Sequence, residues 1–374
     1  MNILTWFQYL GKEDWNSMSP ILNSYFIERK RLETGVDKPI GFEESKVWLY
    51  DMHDAKLWYE LFAHSLWSRK HHRFLLCACT SYARVCDNSS ENCHFINDLD
   101  FAQKYEFSKE RWEDRMARGV QYSKDSHKNW CDEHNFGITH FAVNPQSMPP
   151  SHVRFDMFHM KCAVTRNLMN YIRFLVQKQG KPLRDSFTEN VLRGIFHRFH
   201  IFCWNNNFAF SIMKGNDLGR FVLNLPTVTT FLRSNLIPTD EITALVGALD
   251  LVGGIFSFMS MSYIDDHEEY ATKKEQFKID LELFYEFGRS TFLKENESFY
   301  MHCMRFYLPT HADVTFERHQ LGLGIFNMQG FERRNKESKN SIHRFTTMNQ
   351  NSPHLLVNNM KRLLRVFQWN VDSF

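Results

Sequence analysis

Glu332 stands in the most basic stretch of the chain, beside Arg333, Arg334, Asn335, Lys336 and Lys339, with Arg344 a little further on. A carboxylate in that setting has two readings. It is one member of a solvated helix face, supported by an i, i+4 pair such as Glu332–Lys336. Alternatively, it is an acid set among groups that grip a phosphate backbone. Over the whole chain the charge nearly cancels, 45 Lys and Arg against 43 Asp and Glu, for a net +2. From Glu332 to Phe374, however, eight basic residues oppose three acids, so this end carries +5 and the preceding 331 residues sum to −3. A slightly acidic body with a basic helical end suits a phosphate-backbone partner.

Cysteine is the second chemistry-bearing type. Eight cysteines in 374 residues are too dilute for a disulfide scaffold, yet four fall between Cys77 and Cys93. That clustering points to a metal site in a reducing compartment. Cys77 and Cys79, beside Cys93 and His94 and with His302 far downstream, would make a four-coordinate zinc site. The competing reading is that these are free core cysteines, which are common. Asp156 and His159, one turn apart, read as a helix-start pair rather than as metal ligands. The stretch from Cys131 to His134 reads as a surface turn without a role.

The elements that must position these groups follow from hydrophobic spacing. Residues 1–45 form a polar N-terminal extension. Lys46 to Tyr50 reads as a short buried strand running into Asp51 and Asp54, followed by an amphipathic helix from Ala55 to Arg69 and a second strand from Arg73 to Cys79. Strand, helix, strand is an α/β signature, and it gives residues 46–145 as a partial α/β core with the cysteine cluster. A charged helix is predicted over Ser108 to Cys131, and the prolines at 145, 149 and 150 mark a boundary. Beyond it, residues 146–290 read as a helical region, with helices over Met157 to Gln179, 187–203, 239–263 and Asp265 to Phe284. Residues 291–374 form a C-terminal helical region in which a helix from Ser298 to Tyr307 is stopped by Pro309. The fold class is therefore α/β to mostly α.

Composition supports this outline. Hydrophobic content of 43% and aromatic content of 15% exclude wholesale disorder. Only 16 glycines and 10 prolines, beside 35 phenylalanines, disfavour an all-β chain full of tight turns. The opening residues lack a basic n-region and an apolar h-region, so no signal peptide is expected. Ala244 to Ile264 is the most apolar stretch, broken only by Asp250, and reads as a buried helix rather than a membrane span. The expected location is nuclear or cytoplasmic, with no membrane partner.

Four of these stretches, in this order, resemble the DDE transposases, nearest to the Transib-type enzymes and the catalytic subunit of the V(D)J recombinase. The four are the strand leading to Asp54 with the cysteine pair after it, Arg154 to His159 opening a long helix, Tyr300 to His302 ahead of Pro309, and Glu332 followed by Asn335, Lys336 and Phe345. The likeness spans roughly residues 45–370. It implies a partial RNase H-like α/β core interrupted by a large all-helical insertion, and metal-dependent DNA cleavage and strand transfer. Asp54 would be the second catalytic acid, with Asp51 as the alternative, and Glu332 the third. Together they would hold Mg²⁺ or Mn²⁺, since phosphodiester chemistry of this kind uses hard cations ~4 Å apart on carboxylates. Arg333, Arg334, Asn335, Lys336, Lys339 and Arg344 would hold DNA near the site. Structural Zn²⁺ would take Cys77, Cys79, His302 and either Cys93 or His94. Related enzymes work as homodimers.

The chain also departs from the family pattern. Apart from Asp51, no acid among the first 53 residues follows an apolar strand-like run where the family's first Asp belongs. Where the family places a second zinc histidine, five residues after His302, this sequence has Tyr307; His311 is a further option. The expectation is an incomplete catalytic region or a domesticated, catalytically inactive remnant that binds DNA or protein. An unrelated helical interaction protein is the third reading.

Overall fold

Among the described residues helix-forming spacing dominates, and strands are confined to six residues. The structure, a computed structural model, describes residues 26–27, 29–31, 34, 50–53, 95–119, 123–135, 149–196, 215–293 and 299–329. Among them β1 (Asp51–His53) pairs in parallel with β2 (Val153–Phe155), in the register Asp51 to Val153, Met52 to Arg154 and His53 to Phe155. Between the strands lie α1 (Asp98–Ala117) and α2 (Lys124–His134). After β2 come α3 (Met157–Lys178), α4 (Lys181–Phe187), a π turn at Thr188–Leu192, α5 (Arg193–Ile195) and α6 (Gly215–Asn235). Then follow α7 (Asp240–Phe258), α8 (His267–Arg289), α9 (Phe299–Phe306) and α10 (Leu308–His319). The described chain is mostly helical.

The core is built by α3, α6, α7 and α8. Buried positions on α7 recur at Ile242, Leu245, Leu249, Val252 and Phe256, the three-to-four spacing of one helix face. That face packs between α6 and α8, where Phe258 stacks on Phe277 at 4.4 Å between ring centroids. Each such side chain contributes ~1.5–3 kcal/mol on burial. By length and composition α7 is apolar enough to cross a membrane, and half of its most apolar window is buried within this bundle. Asp250, the one charge in the apolar stretch, points outward and accepts a hydrogen bond from Arg233 Nη2 of α6 at 2.8 Å.

Several expectations are corrected. A strand runs over Asp51–His53, with Asp51 inside it and Tyr50 just before it, while residues 46–49 of the predicted strand and the predicted helix over 55–69 lie outside the described residues. Its partner is Val153–Phe155, a three-residue strand too short for alternation to reveal. The proposed strand from Arg73 to Cys79 lies outside the described residues. The helix predicted over 108–131 is two helices parted at Gly119, which takes the left-handed φ of +65°. Cys131 to His134 is not a surface turn but the last turn of α2, with Cys131 wholly buried. Pro309 does not merely stop a helix. It occupies the first turn of α10, where its missing N–H costs nothing. Helix α6 has no counterpart in the sequence reading, because Gly215, Gly219, Pro226 and a β-branched run over 227–230 hide it.

Candidate functional site

The parallel strand pair ends at His53 and Phe155, and the next residue, Asp156, organises everything around that end. Its buried carboxylate caps α3, with Oδ1 accepting from Phe158 N at 2.9 Å and Oδ2 from His159 N at 3.3 Å. The Nδ1 atom of His159 also contacts Oδ2. The helix-start reading of this pair is therefore what the geometry displays. Oδ1 accepts a third backbone bond, from Met328 N at 2.9 Å, across 172 residues of sequence. Beside it, Met157 N donates to the Phe326 carbonyl at 2.9 Å. The chain thus leaves the strand end at Asp156, passes through the helical body, and returns to the same residue.

Two glycines make the return possible. The segment after α10 lies against the turn that follows α7, through Gly322 N to Ser262 O at 3.1 Å and Gly324 N to Met261 O at 2.7 Å. A Cβ at Gly322 would stand 2.2 Å from the Met261 carbonyl oxygen, and one at Gly324 2.3 Å from that of Ser260. Only glycine permits such an approach. On the same turn Ser260 Oγ accepts from Lys161 Nζ of α3 at 2.5 Å. Burial brings the Lys161 ammonium down to about 8, against the opposing pull of Asp156. Lys161 had no place in the sequence reading, although a lysine on an otherwise apolar helix face is the signal that would have found it.

The proposed site residues divide as follows. Asp51 lies in β1, opposite Val153. Asp54 follows His53 directly and Glu332 comes three residues after Gln329, and both lie outside the described residues. So do Cys77, Cys79, Cys93, His94, Arg333, Arg334, Asn335, Lys336, Lys339 and Arg344. The described neighbours of the two acids are nevertheless brought close together. His53 pairs with Phe155, and the following residue holds Met328.

His302 and His311, two of the three histidines considered for zinc, are both buried. Nε2 of His302 is 3.2 Å from the Tyr307 hydroxyl, the side chain standing where a second histidine was sought. His311 stacks on Phe155 at 5.3 Å between ring centroids and meets Phe95 edge-on at 4.6 Å. Neither ring nitrogen of His311 has a hydrogen-bond partner among the described residues. Burial, reinforced by Arg154, holds its pKa well below the usual imidazole range, so the ring is neutral. Among the described residues no three His, Cys, Asp or Glu side chains group as a metal site. No protein-family model matches this sequence, and no curated protein matches it significantly.

Proposed function

We propose that this chain is a DDE-type, RNase H-like transposase region whose chemistry is metal-dependent cleavage and strand transfer on DNA. The observation that carries the reading is the meeting of three segments at one strand end. A parallel pair terminates at His53 and Phe155, and Asp156 N-caps the helix that departs and binds Met328 of the segment that returns. Asp54 directly follows His53 and Glu332 comes four residues after Met328, which supports the reading that both acids act near this strand end.

The donors would be the carboxylates of Asp54 and Glu332, hard oxygen ligands of the kind that Mg²⁺ or Mn²⁺ takes. When bound, the cations would lower the pKa of an attacking water or 3′-hydroxyl and stabilise the departing oxygen. The protein's own part is positional. Asp156 fixes the return segment, and Arg333, Arg334, Asn335, Lys336, Lys339 and Arg344 would bind the phosphate backbone beside it. Zn²⁺ would brace the fold through Cys77, Cys79, His302 and Cys93 or His94. Buried, neutral His311 is chemically suited to serve as a ligand. A non-catalytic DNA- or protein-binding descendant is the second reading.

The test is Mn²⁺-dependent nicking of supercoiled DNA by the full chain, with Asp54→Asn and Glu332→Gln alongside. Nicking lost in both variants is the expected result. Salt-sensitive DNA binding without nicking selects the second reading, and neither binding nor nicking removes both.

A further inference from the structure

The π turn at Thr188–Leu192 and helix α6 are both irregular, and together with the end of α4 they border an open groove of about 500 Å³. The π turn holds one extra residue in its coil, a feature that recurs at functional sites. Pro226 stands inside α6, where it brings no N–H to the helix ladder. The two walls approach at Gly194, where a Cβ would stand 2.9 Å from Asn224 Oδ1, and through Phe187 and Phe231, 5.2 Å apart between ring centroids. The volume falls in the range of small-molecule sites, ~300–1,000 Å³.

Among the described residues no charged side chain lines this groove. On α6 the exposed hydroxyls of Thr227, Thr230 and Ser234 recur at three- and four-residue spacing on one face, and none bonds to another described residue. On the other wall Asn190 Nδ2 donates to Ser186 Oγ at 3.1 Å, which ties the amide to the groove and leaves its carbonyl oxygen as an acceptor. Pro226 and Phe231, the latter 7% exposed, add apolar surface. Charges next to lining positions are drawn elsewhere, Glu189 to Arg193 at 2.6 Å and Arg233 to Asp250 at 2.8 Å. Asp185, beside Ser186, is not among the lining residues. The groove therefore offers groups that both donate and accept, a little apolar surface, and no counter-charge. An anion or cation entering it would shed water without gaining a partner of opposite sign.

We propose that the groove between the π turn and α6 binds an uncharged sugar. Ring hydroxyls donate and accept as the Thr227, Thr230, Ser234 and Asn190 groups do, and the C–H face of a pyranose suits Pro226 and Phe231. The site lies in the helical body and does not depend on the catalytic reading.

The experiment is a saturation-transfer NMR titration of the full chain with methyl β-glucoside, set against methyl β-glucuronide, the same ring with a carboxylate at C6. The glucoside is expected to bind saturably with a Kd on the order of 1–10 mM, the affinity of a few hydrogen bonds exchanged with water in an open groove. The glucuronide is expected to bind at least ~5-fold more weakly, because its carboxylate meets no cation. Thr230→Val keeps the shape of the side chain and removes its hydroxyl, and Asn190→Ala removes the amide. Each is expected to weaken glucoside binding at least ~3-fold. Both positions are exposed, so both variants are expected to melt as the wild type does, and thermal unfolding verifies it. Should either variant fail to fold, the wild-type comparison of the two sugars decides alone. Absence of saturable glucoside binding, unchanged affinity in a folded variant, or a glucuronide that binds as tightly as the glucoside overturns the proposal.

Discussion

Replacing Asp156 separates its two oxygens. In Asp156→Ala the amides of Phe158 and Met328 lose acceptors at 2.9 Å, and that of His159 loses one at 3.3 Å. A hydrogen bond to a charged group contributes ~1.5–3 kcal/mol, and the site is fully buried, so water does not replace what is lost. Two good bonds and one long one give a cost of about 3–5 kcal/mol. Asp156→Asn keeps Oδ1 and with it the bonds from Phe158 and Met328. It turns Oδ2 into an NH₂ facing the His159 amide, which limits the cost to about 1–2 kcal/mol. Urea unfolding followed by tryptophan fluorescence measures both, and hydrogen exchange at Met328 reports the tether directly. The reasoning fails if alanine costs no more than asparagine, or if the Met328 amide stays as protected in Asp156→Ala as in the wild type.

Glycine offers a paired prediction. Gly324→Ala sets a Cβ 2.3 Å from a backbone oxygen and is expected to destabilise by at least ~2 kcal/mol, whereas Gly219→Ala, in open space on α6, is expected to stabilise by ~0.5–1 kcal/mol; thermal melts of both variants give the sign. His311 gives a pH dependence. Its folded pKa is depressed below the ordinary 6.5, so the unfolded chain binds the extra proton, and this histidine's contribution to stability falls as pH drops below ~6.5. The slope is at most ~1.4 kcal/mol per pH unit for one proton. Urea midpoints between pH 5 and 8 should show a shallower acid limb in His311→Leu, and parallel limbs would refute the assignment.

How much of this was legible in the sequence depended on the length of each signal. Helices α3, α7 and α8 carry several turns of periodic apolar residues, and Asp156, Thr239 and Asp266 are capping residues at their starts. Their existence and starts could be read to within a few residues. Strand β2 could not. Three residues, Val153, Arg154 and Phe155, are too few for an alternating pattern, and their middle member is a buried arginine. Helix α6 was masked by Pro226, which tertiary packing overrides. At the candidate site, Asp156 and His159 were visible as a helix start, but the bond to Met328 was not, because nothing local couples positions 172 residues apart.

That single long-range bond has a consequence for how the chain tolerates change. Closing a flexible loop of 172 residues would cost about 4.5 kcal/mol from its length alone, comparable to all that the Asp156 carboxylate returns. A helical body folded on its own core brings its two ends together beforehand, and the carboxylate has only to latch them. Because the latch senses only those ends, residues added to a surface loop of that body leave the end of the strand pair where it is. The excursion can lengthen, shorten or acquire new binding faces, while the geometry at His53, Asp156 and Met328 stays fixed.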